Sequence, residues 1–172
     1  MAKLSNCAFV ERGYGQVEPN HLSAQHTGQI YAQLPMAGTV TVLENGQFAK
    51  YNYADGVVDF AGEGEWMLVY NAVKIYDDSE TEADYAMKAA VAGTGAVIGV
   101  STDVVPRLFK TNVGDIFTTN TINEEELEVG DVLYVGTNGY LATAVNGDMK
   151  WEVVKVYDLA DGQKAAKIMR IA

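Results

Sequence analysis

The run Gly38-Thr-Val-Thr-Val-Leu-Glu-Asn-Gly-Gln-Phe-Ala49 constrains the fold more than any other stretch. Val40 and Val42 alternate with Thr39 and Thr41, the two-residue period of a strand with one face buried. Asn45-Gly46 then offers a pair tolerant of positive φ, which predicts a tight hairpin whose return strand carries Phe48 and Tyr51. The same grammar fills the rest of the chain. Residues 65–77 form a long β-rich stretch, 96–100 read as a buried strand, and 108–109, 115–118, 131–135 and 140–142 all read as extended. Thr137-Asn138-Gly139 is a second tight turn, and Asp161-Gly162 joins a strand over 151–157 to a return over 165–171. Tyr85–Ala90 reads as strand or as one or two helical turns, and Glu124–Leu127 as a helical turn. Seventeen glycines against three prolines, with ten tyrosines, fit short strands joined by tight turns. The expected fold is mainly β, with small barrel- or sandwich-like sheets built from hairpins.

Two segments echo each other. Gly38-x-Val40-x-Val42 followed by Asn45-Gly46 parallels Gly130-x-Val132-x-Tyr134 followed by Asn138-Gly139. Each is followed by a tryptophan, Trp66 or Trp151, ahead of Lys74-Ile-Tyr-Asp77 or Lys155-Val-Tyr-Asp158. The echo reads either as one unit used twice or as the common grammar of β-meanders.

Residues 1–36 differ. Polar side chains such as Ser23, Gln25, Thr27, Gln29 and Gln33 dominate, and hydrophobic periodicity is weak before Ile30. This predicts an extended N-terminal arm that docks on a neighbour, or else a loop-rich start covering the core. On the first reading Phe9, Tyr14, His21, His26, Ile30 and Tyr31 are the candidate partner-binding residues, their apolar area contributing about 25 cal/mol per Å² before entropic costs. The remainder divides into a first β lobe over 37–105 and a second over 106–172, or runs on as one continuous domain.

The charge bounds the partners. Twelve basic against twenty-three acidic residues give a net charge of −11, a field that repels phosphate backbones and anionic membranes and keeps a protein soluble. No run approaches the ~18 apolar residues of a membrane span. Met1-Ala-Lys-Leu-Ser-Asn lacks the apolar core of a signal peptide, so the chain is expected to be made in a cytoplasm. A single cysteine, Cys7, excludes an internal disulfide framework and reads as a quiet thiol.

Catalytic signatures are sparse. Gly93-Thr-Gly-Ala-Val-Ile-Gly99 resembles a dinucleotide fingerprint, but the β-branched run after it, ending at Pro106, cannot form the helix that chemistry needs. The acidic stretch 77–84 lacks the central glycine of a calcium loop and reads as solvated. His21 and His26 have no third ligand nearby for zinc. Neither a catalytic residue, a cofactor nor a metal is expected. Paired carboxylates that meet only in the fold stay open as an enzymatic alternative. Trp66, Trp151 and the tyrosines read as core, with a sugar-stacking platform as the alternative.

The C-terminal half carries Val113-Gly-Asp115, Val129-Gly-Asp-Val-Leu-Tyr-Val135, the Asn138-Gly139 turn, the 151–157 strand and Asp161-Gly162. In this it resembles the small β-rich capsid decoration, or head cement, proteins of tailed bacteriophages. The polar early segment and the Ala/Gly/Thr/Val-rich body are similar to that class as well. The resemblance implies a non-catalytic virion protein made in the host cytoplasm, bound to the major capsid protein on the outside of the head and stabilising it. Such proteins often form trimers, so a homo-oligomer is implied too. A head-fibre base, or a carbohydrate-binding adhesin using exposed aromatics, is the alternative. The first half and the insert at 52–64 depart from the pattern.

Overall fold

The computed structural model describes residues 5, 7–11, 15–40, 43–71, 91–92 and 105–172. Thirteen strands and one short helix fall among them: β1 Val17–His21, α1 Ser23–Thr27, β2 Ile30–Tyr31, β3 Leu43–Glu44, β4 Phe48–Asn52, β5 Val57–Asp59, β6 Met67–Val69, β7 Val91–Ala92, β8 Leu108–Phe109, β9 Ile116–Thr119, β10 Val132–Val135, β11 Leu141–Ala142, β12 Lys150–Asp158 and β13 Lys164–Arg170. The expected mainly β fold is what forms. A five-stranded sheet runs β2-β8-β6-β4-β5, a six-stranded sheet runs β1-β9-β13-β12-β10-β11, and β3 pairs with β7. Every pairing between these strands is antiparallel.

Side-chain alternation assigns the faces. Phe48, Leu68 and Phe109 point from the five-stranded sheet into a core shared with Phe117, Leu133, Trp151, Val153 and Ile168 of the other sheet. The Trp151 ring lies 5.0 Å from Phe117 and 5.6 Å from Phe48, all three fully buried. Each such aromatic contributes roughly 2–3 kcal/mol on burial. The alternate residues Ala49, Tyr51, Met67, Val69 and Leu108 face the other way, into a second cluster closed by Met36, Ala37, Val40 and Leu43.

One turn geometry starts several strands. At 44–47, Gln47 N–H donates to the Glu44 carbonyl, Gly46 has φ 93°, and no described non-glycine residue has positive φ. That is the pattern of a type II turn. Gly46 N–H donates to the Val69 carbonyl, Val69 N–H donates to the Gln47 carbonyl, and the Gln47 side chain accepts from Glu44 N–H at 2.7 Å. The turn at 128–131 repeats this with Gly130 at φ 96°, Val153 as the partner residue and the Asp131 carboxylate accepting from Glu128 N–H at 2.7 Å. The turn at 112–115 does so with Gly114, Arg170 and Asp115.

This geometry corrects the first expected hairpin. A two-residue hairpin with Asn-Gly needs positive φ at both central residues, and a type II turn splays the flanking strands. Accordingly β3 pairs with β7, and β4 pairs with β5 and β6. The later hairpins do form: β10 with β11 around Gly139, and β12 with β13 around Gly162. Glu124–Leu127 is not helical.

The echo is also clarified. From the 44–47 turn the chain runs β4, hairpin, β5, then β6 back against β4; from 128–131 it runs β10, hairpin, β11, then β12 back against β10. The structural match of Asn45-Gly46 is therefore Val129-Gly130, not Asn138-Gly139. Counting from the turns, Ala49 faces Met67 as Leu133 faces Trp151.

The early segment covers its own core. Cys7, Phe9, Val10, Leu22 and Ala24 are buried in the shared cluster, and β1 is an edge strand on β9. β8, just past the 105/106 boundary expected between lobes, joins the sheet of β4, β5 and β6, and β1 of the early segment joins the six-stranded sheet. Tyr14, Val42, Lys74–Asp77, the acidic stretch 77–84, Tyr85–Ala90 and the stretch 93–100, with both the glycine-rich motif and the expected 96–100 strand, lie outside the described residues.

Candidate binding surface

The outward face of the five-stranded sheet carries an aromatic cleft. Alternation in β4 puts Tyr51 on that face with Ala49, and in β6 it puts Met67 there with Val69. Tyr31 of β2, Tyr53 just after β4, Glu63, Gly64 and Glu65 ahead of β6, and Lys110 just after β8 complete a cleft of about 120 Å³. The Tyr51 ring meets Tyr31 edge-on at 5.6 Å and Tyr53 edge-on at 5.6 Å, a favourable arrangement of ring quadrupoles. Tyr51 is 3% exposed and Tyr53 73% exposed. The Tyr51 hydroxyl accepts from Gln33 N–H at 3.1 Å, which fixes the ring at its far end.

The loop bearing the carboxylates is held close. Asp59 Oδ1 accepts from Ala61 N–H at 3.0 Å and Gly62 N–H at 2.5 Å. A Cβ on Gly62 would stand 2.5 Å from the Tyr51 carbonyl oxygen, so only glycine lets this loop lie against β4. Glu65 is doubly engaged: Oε1 meets Arg170 Nη1 at 2.8 Å and Oε2 meets Lys110 Nζ at 3.4 Å. Arg170 also donates to the Thr111 carbonyl and hydroxyl, tying the cleft to the six-stranded sheet.

The candidate residues read from sequence scatter. Tyr31 lines the cleft, and Ile30 beside it is half-buried against the shared core. His21 of β1 and His26 of α1 are exposed, their rings 6.0 Å apart, and neither lines the cleft. Asp115 anchors α1, accepting from Ser23 N–H at 2.9 Å and Ser23 Oγ at 2.8 Å. Phe9 is 4% exposed, which corrects its expected role as an exposed contact: its N–H donates to the Ile122 carbonyl and its ring joins the core. Tyr51, Tyr53 and Glu63 were not among the contact residues expected from sequence, although Tyr51 was placed on a strand. Their available signal was tyrosine at two-residue spacing running into the polar turn Asn52-Tyr-Ala-Asp-Gly56.

A second gathering of reactive side chains lies inside. Glu44 is fully buried; its Oε1 accepts from Ser5 Oγ at 2.6 Å and Tyr140 Oη at 2.8 Å, and its Oε2 from Gly15 N–H at 2.7 Å. Cys7 donates to the Ile122 carbonyl, and burial pushes its thiol up to about 12. A thiol so protonated and enclosed is a poor nucleophile, so this cluster acts as a structural lock. Trp151 is core, and Trp66 is half-buried beneath Lys50, whose ammonium lies 4.6 Å from its ring centroid. Among the described residues no His/Cys/Asp/Glu group could hold a metal ion, and no helix is long and apolar enough to cross a membrane. No family model matches this sequence, and neither a curated protein nor a solved structure matches it.

Proposed function

We propose that this chain is a structural binding protein which decorates a phage head from outside, gripping the major capsid protein as a homo-oligomer, with a trimer favoured, and performing no catalysis. The observation that carries the reading is the tyrosine cleft. Tyrosines held in one geometry give contact area at little entropic cost and are enriched where interfaces concentrate their energy. They stand on a two-sheet body whose single thiol and fully buried Glu44 carboxylate are engaged in internal hydrogen bonds. The contact region proposed here is thus the outer sheet face around Tyr31 rather than a free arm.

The test is direct. Purified chain added to undecorated shells should bind at a fixed stoichiometry and raise the temperature at which the shells rupture. A chain that stays in the supernatant at micromolar concentration would sink the reading. The glycan-binding alternative loses Trp151, which is enclosed between the sheets.

A further inference from the structure

We infer that the cleft receives one arginine or lysine side chain of the partner, with Tyr31 and Tyr53 as walls, Tyr51 as base and Glu63 as counter-charge; this deepens the protein-binding reading and rests on it. Size is the first argument. A cleft of about 120 Å³ is well below the roughly 300 Å³ at which small-molecule sites begin, and suits the head of a single side chain.

Chemistry is the second. Cations are drawn to tyrosine rings within about 6 Å of the centroid, and Tyr31, Tyr51 and Tyr53 all line this one cleft. Among the described residues, the rim carries one carboxylate that is not already engaged by a cation. Lys110 and Arg170 share Glu65, whereas the exposed Glu63 has no ion pair among the described residues. The chain as a whole carries −11, which favours the approach of a cationic surface. The hydrogen bond from Gln33 to Tyr51 and the close seating of Gly62 fix the site beforehand, so little ordering cost falls on binding.

The experiment titrates the full chain with N-acetyl-arginine amide while following the backbone amide resonances of Glu63, Gly64 and Glu65. Saturable shifts are expected, weakened roughly fivefold by Tyr53→Ala and again by Glu63→Gln, and absent with N-acetyl-citrulline amide. Both side chains are exposed, so circular dichroism should report an unchanged fold for each variant. An equal response to citrulline amide, a response to maltose in place of arginine amide, or indifference to both substitutions overturns the inference. Shell binding separates the two claims. Shells bound equally by wild type and the double variant would remove the cleft inference alone. Arginine binding that the substitutions weaken, in a chain that ignores shells, would remove the decoration reading alone.

Discussion

The Tyr140 hydroxyl donates to Glu44 Oε1 at 2.8 Å within the protein interior, and the Ser5 hydroxyl shares that oxygen at 2.6 Å. This contact joins the 136–140 hairpin loop to the 44–47 turn, and Gly15 N–H adds the early segment from the other oxygen. A buried carboxylate is tolerable only when its lone pairs are occupied, and here neutral donors occupy them. The three-way junction ties the 44–47 turn, the 136–140 loop and the early segment at Ser5 and Gly15 together.

Tyr140→Phe should therefore destabilise the protein by about 2 kcal/mol, the usual cost of deleting a donor to a buried charged acceptor. Urea unfolding should give a lower midpoint with an unchanged slope. A midpoint equal to wild type would mean that the hydroxyl contributes nothing to holding Glu44.

Alkaline pH should weaken the fold. Burial raises the Cys7 thiol from 9.0 to about 12, and burial followed by the neighbouring Glu44 raises the Tyr140 phenol above its ordinary 10.0. Both groups have folded-state values above their unfolded ones, so their contribution is complete below those unfolded values and disappears as pH rises toward the folded ones. From pH 9.0 for Cys7 and 10.0 for Tyr140, stability should fall by up to about 1.4 kcal/mol per pH unit for each group engaged. Cys7→Ala should flatten the first part of that decline, read as unfolding midpoint against pH.

The same thiol should resist labelling. In native buffer at pH 8, a disulfide reagent should modify Cys7 only as fast as the protein opens, and at once in guanidinium. Rapid stoichiometric labelling of the folded protein would contradict its position in the core.

Glycine-to-alanine changes at the three type II turns should divide. Gly114→Ala and Gly130→Ala meet open space, and each costs only the backbone strain of a left-handed residue, about 1–2 kcal/mol. Gly46→Ala adds a collision, because its Cβ would stand 2.4 Å from Thr119 Oγ1 and 2.6 Å from Thr121 Oγ1. Thermal melts should rank Gly46→Ala clearly below the other two.

What could be read in advance follows the locality of each signal. β12 and β13 were legible because long alternating runs flank Asp161-Gly162, and every cue there acts within a few residues. The Asn45-Gly46 turn was legible but its pairing was not, because Asn45 keeps negative φ and the partner of Gly46 is Val69. Trp66 and Trp151 look equivalent in sequence, yet Met67 holds the place of Trp151. Trp66, one residue ahead of β6, packs only partly against the same core that encloses Trp151 and lies beneath Lys50. Glu44 and Phe9 were hidden for another reason. Their partners, Ser5, Gly15 and Tyr140 for one and Ile122 for the other, are distant in sequence and meet only once the sheets stack. The cleft was half visible: Tyr31 was singled out, while Tyr51, Tyr53 and Glu63 needed the sheet order to bring them to it.

The placement of β1 and β8 bears on how the protein unfolds. Each sheet includes a strand from a distant part of the chain, β8 in the five-stranded sheet and β1 in the six-stranded one. Loss of either sheet is therefore expected to loosen the other, so that both unfold in one cooperative transition.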